Sequence, residues 1–195
     1  MGGVNCLEEN ELRIRIIETA LDEFNGKGIH FTMDQIAKRL GISKKTIYTV
    51  FEDKESLIYA GVEHGFAMIK RSEAAILKND SLSTVDKIRR VLIVLPDRFR
   101  DIDFRQIYGM TDTYPEVFNK IVEKINTGWE PTIQLIEQGI REGKIRKISI
   151  PVFRVMVEAS IKSFISSKEL IESDISYEEA LEDMIDILME GIVIV

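Results

Sequence analysis

Residues 31–57 read FTMDQIAKRLGISKKTIYTVFEDKESL, and this stretch decides the fold. Thr32 is a helix N-cap: its hydroxyl can accept a bond from an unpaired amide of the first turn. Gln35, three residues on, completes a capping-box pattern. Ile36, Ala37 and Leu40 follow at helical spacing and face inward. Gly41 ends this helix. Ser43 caps a third helix that runs from Lys44 to about Val50, and Asp53 caps a fourth that begins at Lys54 and Glu55. Two short helices joined at Gly41-Ile42 have the spacing of a helix-turn-helix.

The third helix has two chemically different sides. At about 100° per residue, Ile47, Val50 and Phe51 fall on one side. Lys44, Lys45, Tyr48 and Thr49 fall on the other. The first set fixes the helix to the rest of the chain. The second offers two cations, a phenol and a hydroxyl, groups that can reach phosphates and base edges in a major groove about 12 Å wide. Between Thr32 and Phe51 the cations are Lys38, Arg39, Lys44 and Lys45, against Asp34 alone.

Outward from this stretch the chain reads as helix after helix. The first helix is predicted from about Glu8 to Asn25, with Leu12, Ile16, Ala20, Leu21 and Phe24 as its apolar stripe. The fourth continues to about Leu77. Ser83, with Asp86 three residues on, opens a helix toward Leu95, and a shorter one lies near Phe104 to Met110. Pro115 starts a segment that reaches about Glu142 with a bend near Pro131. Pro151 opens the next, to about Lys168, and Tyr177 to Ile192 forms the last. No alternation of period two persists. The pattern predicts an all-α fold of about nine helices. A homeodomain-like, three-helix unit over residues 1–53 precedes a larger helical domain over 54–195.

The 195 residues carry a formal net charge of −7. That sign argues against a nonspecific nucleic-acid coat and leaves room for one small basic face. Cys6 is the single cysteine, which excludes an intramolecular disulfide and predicts a reducing, cytoplasmic setting. No basic segment followed by an apolar run marks a signal peptide, and no apolar run is long enough to span a bilayer. His30 and His64 are far apart and lack matching ligand pairs, so no metal or cofactor is expected. No glycine-rich phosphate loop or nucleophile–base set is present, and the chain is not expected to be an enzyme.

The residues quoted above resemble the tetracycline-repressor (TetR) family. Its members typically show threonine opening the second helix, Ile-Ala within it, Gly-Val/Ile-Ser at the turn, Thr-Leu/Ile-Tyr in the third helix, and Phe before Lys-Glu-x-Leu. Here these are Thr32, Ile36-Ala37, Gly41-Ile42-Ser43, Thr46-Ile47-Tyr48, Phe51 and Lys54-Glu55-Ser56-Leu57. The match covers about 50 residues, preceding helix included. Lys45 stands where many members have a small residue, and Val50 where many have an aromatic or histidine.

The resemblance implies a bacterial transcriptional regulator, usually a repressor, that binds a near-palindromic operator in double-stranded DNA as a homodimer. Thr32, Tyr48 and Lys54 align with phosphate-holding positions. Lys44, Lys45, Thr46 and Thr49 align with recognition-helix positions that face DNA. The last two helices would pair with those of a second subunit, and the C-terminal domain would bind a small-molecule effector. An adaptor or scaffold whose helix-turn-helix binds no DNA is the competing reading; it predicts no salt-dependent DNA affinity.

Trp129, the single tryptophan, has two readings. It lines an effector pocket with Phe99, Phe104, Tyr108, Met110, Tyr114 and Met156, or it is ordinary core or an interface anchor. Arg98, Arg105 and Glu158 would supply such a pocket's polarity; surface ion pairs are the plainer reading.

Overall fold

The computed structural model describes residues 3–99, 107 and 109–194. The chain opens with α1 (Gly3–Lys27), a 3₁₀ turn (Gly28–His30), α2 (Met33–Leu40) and α3 (Lys44–Tyr48). Next come α4 (Lys54–Leu77), α5 (Thr84–Leu92) and a second 3₁₀ turn (Asp97–Phe99). Then follow α6 (Met110–Thr113), α7 (Pro115–Ile125), α8 (Glu130–Arg141), α9 (Ile150–Ser166), α10 (Lys168–Glu172) and α11 (Tyr177–Ile192). Among the described residues no strand forms. A lone antiparallel bridge joins Ile145 to Val193 and ties the end of α11 to the α8–α9 connection.

Capping residues set most of the bounds. Asp53 accepts from the Ser56 amide at 2.7 Å, and the Ser56 hydroxyl completes the reciprocal pair, so α4 starts at Lys54 as expected. Ser176 and Glu179 do the same for α11. Elsewhere the bounds differ from expectation. α1 runs past Asn25 to Lys27, whose ammonium closes the last turn on Glu23 at 2.6 Å. α3 ends at Tyr48, with Thr49 as its C-cap. α5 stops at Leu92 rather than near Leu95, because Pro96 has no amide to offer Leu92 and disfavours helical backbone at Leu95.

The segment expected from Pro115 to Glu142 is two helices. Gly128 takes φ +77, a left-handed conformation that L side chains avoid, and the chain turns there. Pro131 sits in the first turn of α8, where a missing amide costs nothing, instead of bending a helix interior.

Two clusters of buried residues organise the packing. One joins α1, α2 and α3 to the start of α4 through Ile16, Phe24, Phe31, Ile36, Ile47 and Leu57, and continues to Val117 and Ile121 of α7. The other joins α5, α8, α9 and α11 through Ile88, Ile136, Val157, Leu181, Ile185 and Met189. Each such side chain contributes about 1.5–3 kcal/mol of burial. α4 runs beside α1 at one end and against α5 and α7 farther along, so it links the two clusters. Among the described residues no helix is long and apolar enough to cross a membrane.

Candidate nucleic-acid interface and internal cavity

Capping builds the α2–turn–α3 unit. The Thr32 hydroxyl accepts from the Gln35 amide at 3.3 Å, and the Gln35 side chain accepts from the Thr32 amide at 2.9 Å. α2 ends at Gly41, whose φ of +67 lets its amide and that of Ile42 close on carbonyls of the last turn. Ser43 then caps α3 by accepting from the Thr46 amide at 3.0 Å.

Burial gives α3 its inner side. Ile47 is fully enclosed and Phe51 nearly so. The Arg13 guanidinium of α1 lies over the Phe51 ring, 4.5 Å from its centroid. On the other side Lys44, Lys45, Tyr48 and Thr49 are exposed, Tyr48 at 44 %. The Thr49 hydroxyl donates to the Thr46 carbonyl at 2.7 Å, so it presents lone pairs outward as an acceptor. Thr46 is half-buried and shares a hydrogen bond with Ser43 at 2.8 Å. Thr32 is exposed at the start of α2.

Two cations of the basic stretch are tied within the protein. Lys44 donates to Asp34 at 3.0 Å, and that bond raises its pKa. Arg39 spans Asp22 at 2.9 Å and Glu23 at 3.2 Å on α1. Lys54 is placed differently from the other residues aligned with DNA contacts. It is half-buried, donates to the Ile29 carbonyl, and lies 4.5 Å from the Phe31 ring centroid and 5.9 Å from that of Tyr114. Burial lowers its pKa.

Below this head lies a cavity of about 250 Å³. Phe99, Met110 and Trp129 line it. Trp129 is buried, donates from its indole nitrogen to the Ile125 carbonyl at 3.2 Å, and carries the Arg154 guanidinium 5.7 Å from its ring centroid. Met156 is not part of the lining: it is 49 % exposed on the outer side of α9. Tyr114 packs against the first cluster instead. Phe104, Tyr108, Arg105 and the side chain of Arg98 lie outside the described residues. Glu158 is buried but serves Arg154, at 2.6 Å, rather than the cavity.

Sequence reasoning missed most of the cavity's contributors, of which a few matter most. Leu21 and Phe24 of α1 line it. Gly61 and Gly65, one turn apart on the inner stripe of α4, leave space there. Thr132 of α8 also lines it and is 6 % exposed. The glycine pair inside an otherwise apolar stripe was the readable signal.

Residues 16–60, which hold this helix-turn-helix, match the model for bacterial regulatory proteins of the tetR family. The HTH-type transcriptional regulator YvaF of Bacillus subtilis is 27% identical over 178 residues, 91% of this chain and 94% of that protein. The HTH-type transcriptional regulator SrpR of Pseudomonas putida is 22% identical, over 87% of this chain and 82% of that one. The crystal structure of a TetR transcriptional regulator from Chloroflexus aurantiacus superposes with a TM-score of 0.69 at 21% identity, covering 96% of this chain and 99% of that one.

Proposed function

We propose, from the premise that the chain belongs to the tetR family of bacterial regulatory proteins, that it is a ligand-released repressor acting as a homodimer on a near-palindromic operator. The match of residues 16–60 to that family and the likeness to a transcriptional regulator over 91% of the chain support the regulator reading.

One observation carries the DNA-binding assignment. α3 is anchored by a fully enclosed Ile47 and offers Lys44, Lys45, Tyr48 and Thr49 on the opposite side. We assign these four and Thr46 to the major groove and its flanking phosphates, and Thr32 to a phosphate at the start of α2. Lys54 joins this set if its ammonium leaves the Ile29 carbonyl when DNA arrives. Residues 1–53 are the DNA-binding unit and 54–195 the effector-binding and dimerisation unit, with α4 as the lever between them.

The unpartnered apolar face of α9 supports the dimer. Val152, Val155 and Met156 are 57 %, 61 % and 49 % exposed, and Ile187 of the neighbouring α11 is 71 % exposed. Exposed apolar side chains on neighbouring helices suit a two-fold interface. Two subunits so joined would set their recognition helices about 34–36 Å apart or slightly more.

The test is binding to the promoter duplex beside the protein's own gene. Tyr48→Ala and Lys44→Ala should each weaken it about tenfold, and loss of Lys44 should flatten the salt dependence by about one counterion. Unchanged affinity and an unchanged salt slope in both variants would refute the role given to α3.

A further inference from the structure

Lys54 sits where its charge is poorly matched. It is the first residue of α4, where the partial positive charge of the helix end disfavours a cation. It is half-buried, and among the described residues no carboxylate pairs with its ammonium, so burial lowers its pKa unopposed. Its partners are the Ile29 carbonyl, in the first 3₁₀ turn, and two aromatic rings. The ring centroids lie 4.5 Å away for Phe31 and 5.9 Å away for Tyr114. A carbonyl and two ring faces attract a cation, but less strongly than an anion would.

The two rings come from different parts of the fold. Phe31 is buried next to the Thr32 cap and belongs to the same packed cluster as Ile47. Tyr114 is half-buried at the corner between α6 and α7. That corner is fixed by the backbone: the Tyr114 amide donates to the Met110 carbonyl at 2.8 Å, and the Tyr114 carbonyl accepts from the Phe118 amide at 3.1 Å. The phenol reaches the start of α4, since the charges of Glu55 and Asp53 add to burial in raising its pKa. Tyr114 is therefore the ring that can be changed without touching the helix-turn-helix.

We infer that Tyr114 is a positioning residue for DNA binding. With Phe31 and the Ile29 carbonyl it holds Lys54 in a docked place, from which a DNA phosphate must withdraw the ammonium. The phosphate supplies the full negative charge that the docked place lacks, so the exchange is favourable. The hold of the rings opposes it, and weakening that hold strengthens DNA binding. The α6–α7 corner thus acts on a DNA contact through one pair of side chains. This inference rests on the phosphate role given to Lys54 above.

Reductive methylation with isotope-labelled formaldehyde keeps each lysine charged and gives it a methyl signal in magnetic resonance. The Lys54 signal is the one missing from Lys54→Arg. In the free protein it should lie upfield of the solvated lysines, because ring faces shield it, and Tyr114→Leu should reduce that displacement. Adding the promoter duplex beside the protein's own gene should move it to the position of an ordinary lysine. In the unmethylated protein, Tyr114→Leu should bind this duplex about threefold tighter. Tyr114→Phe, which keeps the ring, should bind like the parent. Lys54→Gln should weaken binding and remove about one counterion from its salt dependence. In that background Tyr114→Leu should change nothing. The inference is overturned by an unshifted Lys54 signal, by a signal that stays shifted in the complex, by Tyr114→Leu binding no tighter, or by a gain that persists in Lys54→Gln. The methyl signal needs no change at Tyr114, so it decides even where Tyr114→Leu fails to fold. Parent-like binding by Lys54→Gln would also overturn the inference while leaving α3 its role. A shifted Lys54 signal with no duplex binding would instead refute the regulator reading.

Discussion

Lys44 shows how one neighbour can set the strength of a contact. Its ammonium is exposed, yet it already has a carboxylate in Asp34 at 3.0 Å. A phosphate must displace Asp34 or share the lysine with it. The carboxylate also repels the DNA backbone, while it holds Lys44 charged and in place. At a fully solvated site the pairing itself is weak, so the repulsion should dominate. Asp34→Asn is therefore expected to strengthen promoter binding about threefold to tenfold and to steepen its salt dependence. Filter binding or anisotropy at several salt concentrations would decide it. Weaker binding would mean that Asp34 acts mainly by orienting Lys44. Lys54 shows what a linear reading leaves out. Its alignment marks it as a phosphate ligand, but Ile29 and Tyr114, separated from it in sequence, supply its present surroundings. No local pattern announces a partner that distant.

At the scale of elements, end signals were the most readable part of the chain. Asp53 and Ser176 each carry a reciprocal cap, and the helices they open, α4 and α11, lie where the residues placed them. α3 depends more on its cap than these do, because it has only five residues and a helix that short has little cooperativity of its own. Ser43→Ala should cost about 1 kcal/mol, read as a lower melting temperature and as weaker DNA binding with every cation kept. The breaks were less legible. The turn at Gly128 depends on a left-handed backbone, which glycine permits but does not require. The cavity was half-legible: aromatic residues hinted at Phe99, Met110 and Trp129, but periodicity cannot tell a residue that fills space from one that borders it.

The contact between α1 and α2 adds a pH-dependent element. The bond from Lys27 to Glu23 holds the Glu23 carboxyl below the usual glutamate range, and Arg39 adds to this. A carboxyl whose pKa is lowered by folding stabilises the fold above its unfolded pKa and loses that contribution as pH falls through the folded one. Glu23→Gln should therefore cost about 0.5 kcal/mol near neutrality, as expected for a screened surface cluster. The difference from the parent should close as the solution is acidified below the glutamate range. Melting curves over that range would check it, and a gap that widened in acid would refute the assignment.

For the whole molecule, charge and apolar surface divide the labour of recognition. The net charge of −7 leaves the basic α2–α3 face as the attractive surface and keeps other faces off the DNA backbone. A single such face with a five-residue recognition helix makes few contacts, so useful affinity requires two of them on one duplex. The face that could couple two copies is the outer side of α9. Met156, one of the residues offered for an effector pocket, is turned outward by the fold beside Val152 and Val155. Val155→Glu places a charge in the centre of that patch while leaving the enclosed Phe153 and Val157 untouched. It should convert a dimer to a monomer in sedimentation equilibrium, since an unpaired charge buried at a self-complementary interface appears twice. DNA binding should fall at least about a hundredfold, because each monomer then holds one half-site without the gain from linkage. The helical content should not change. A variant that stays dimeric and keeps its operator affinity would place the subunit contact on another face, and with it the spacing that the two recognition helices can span.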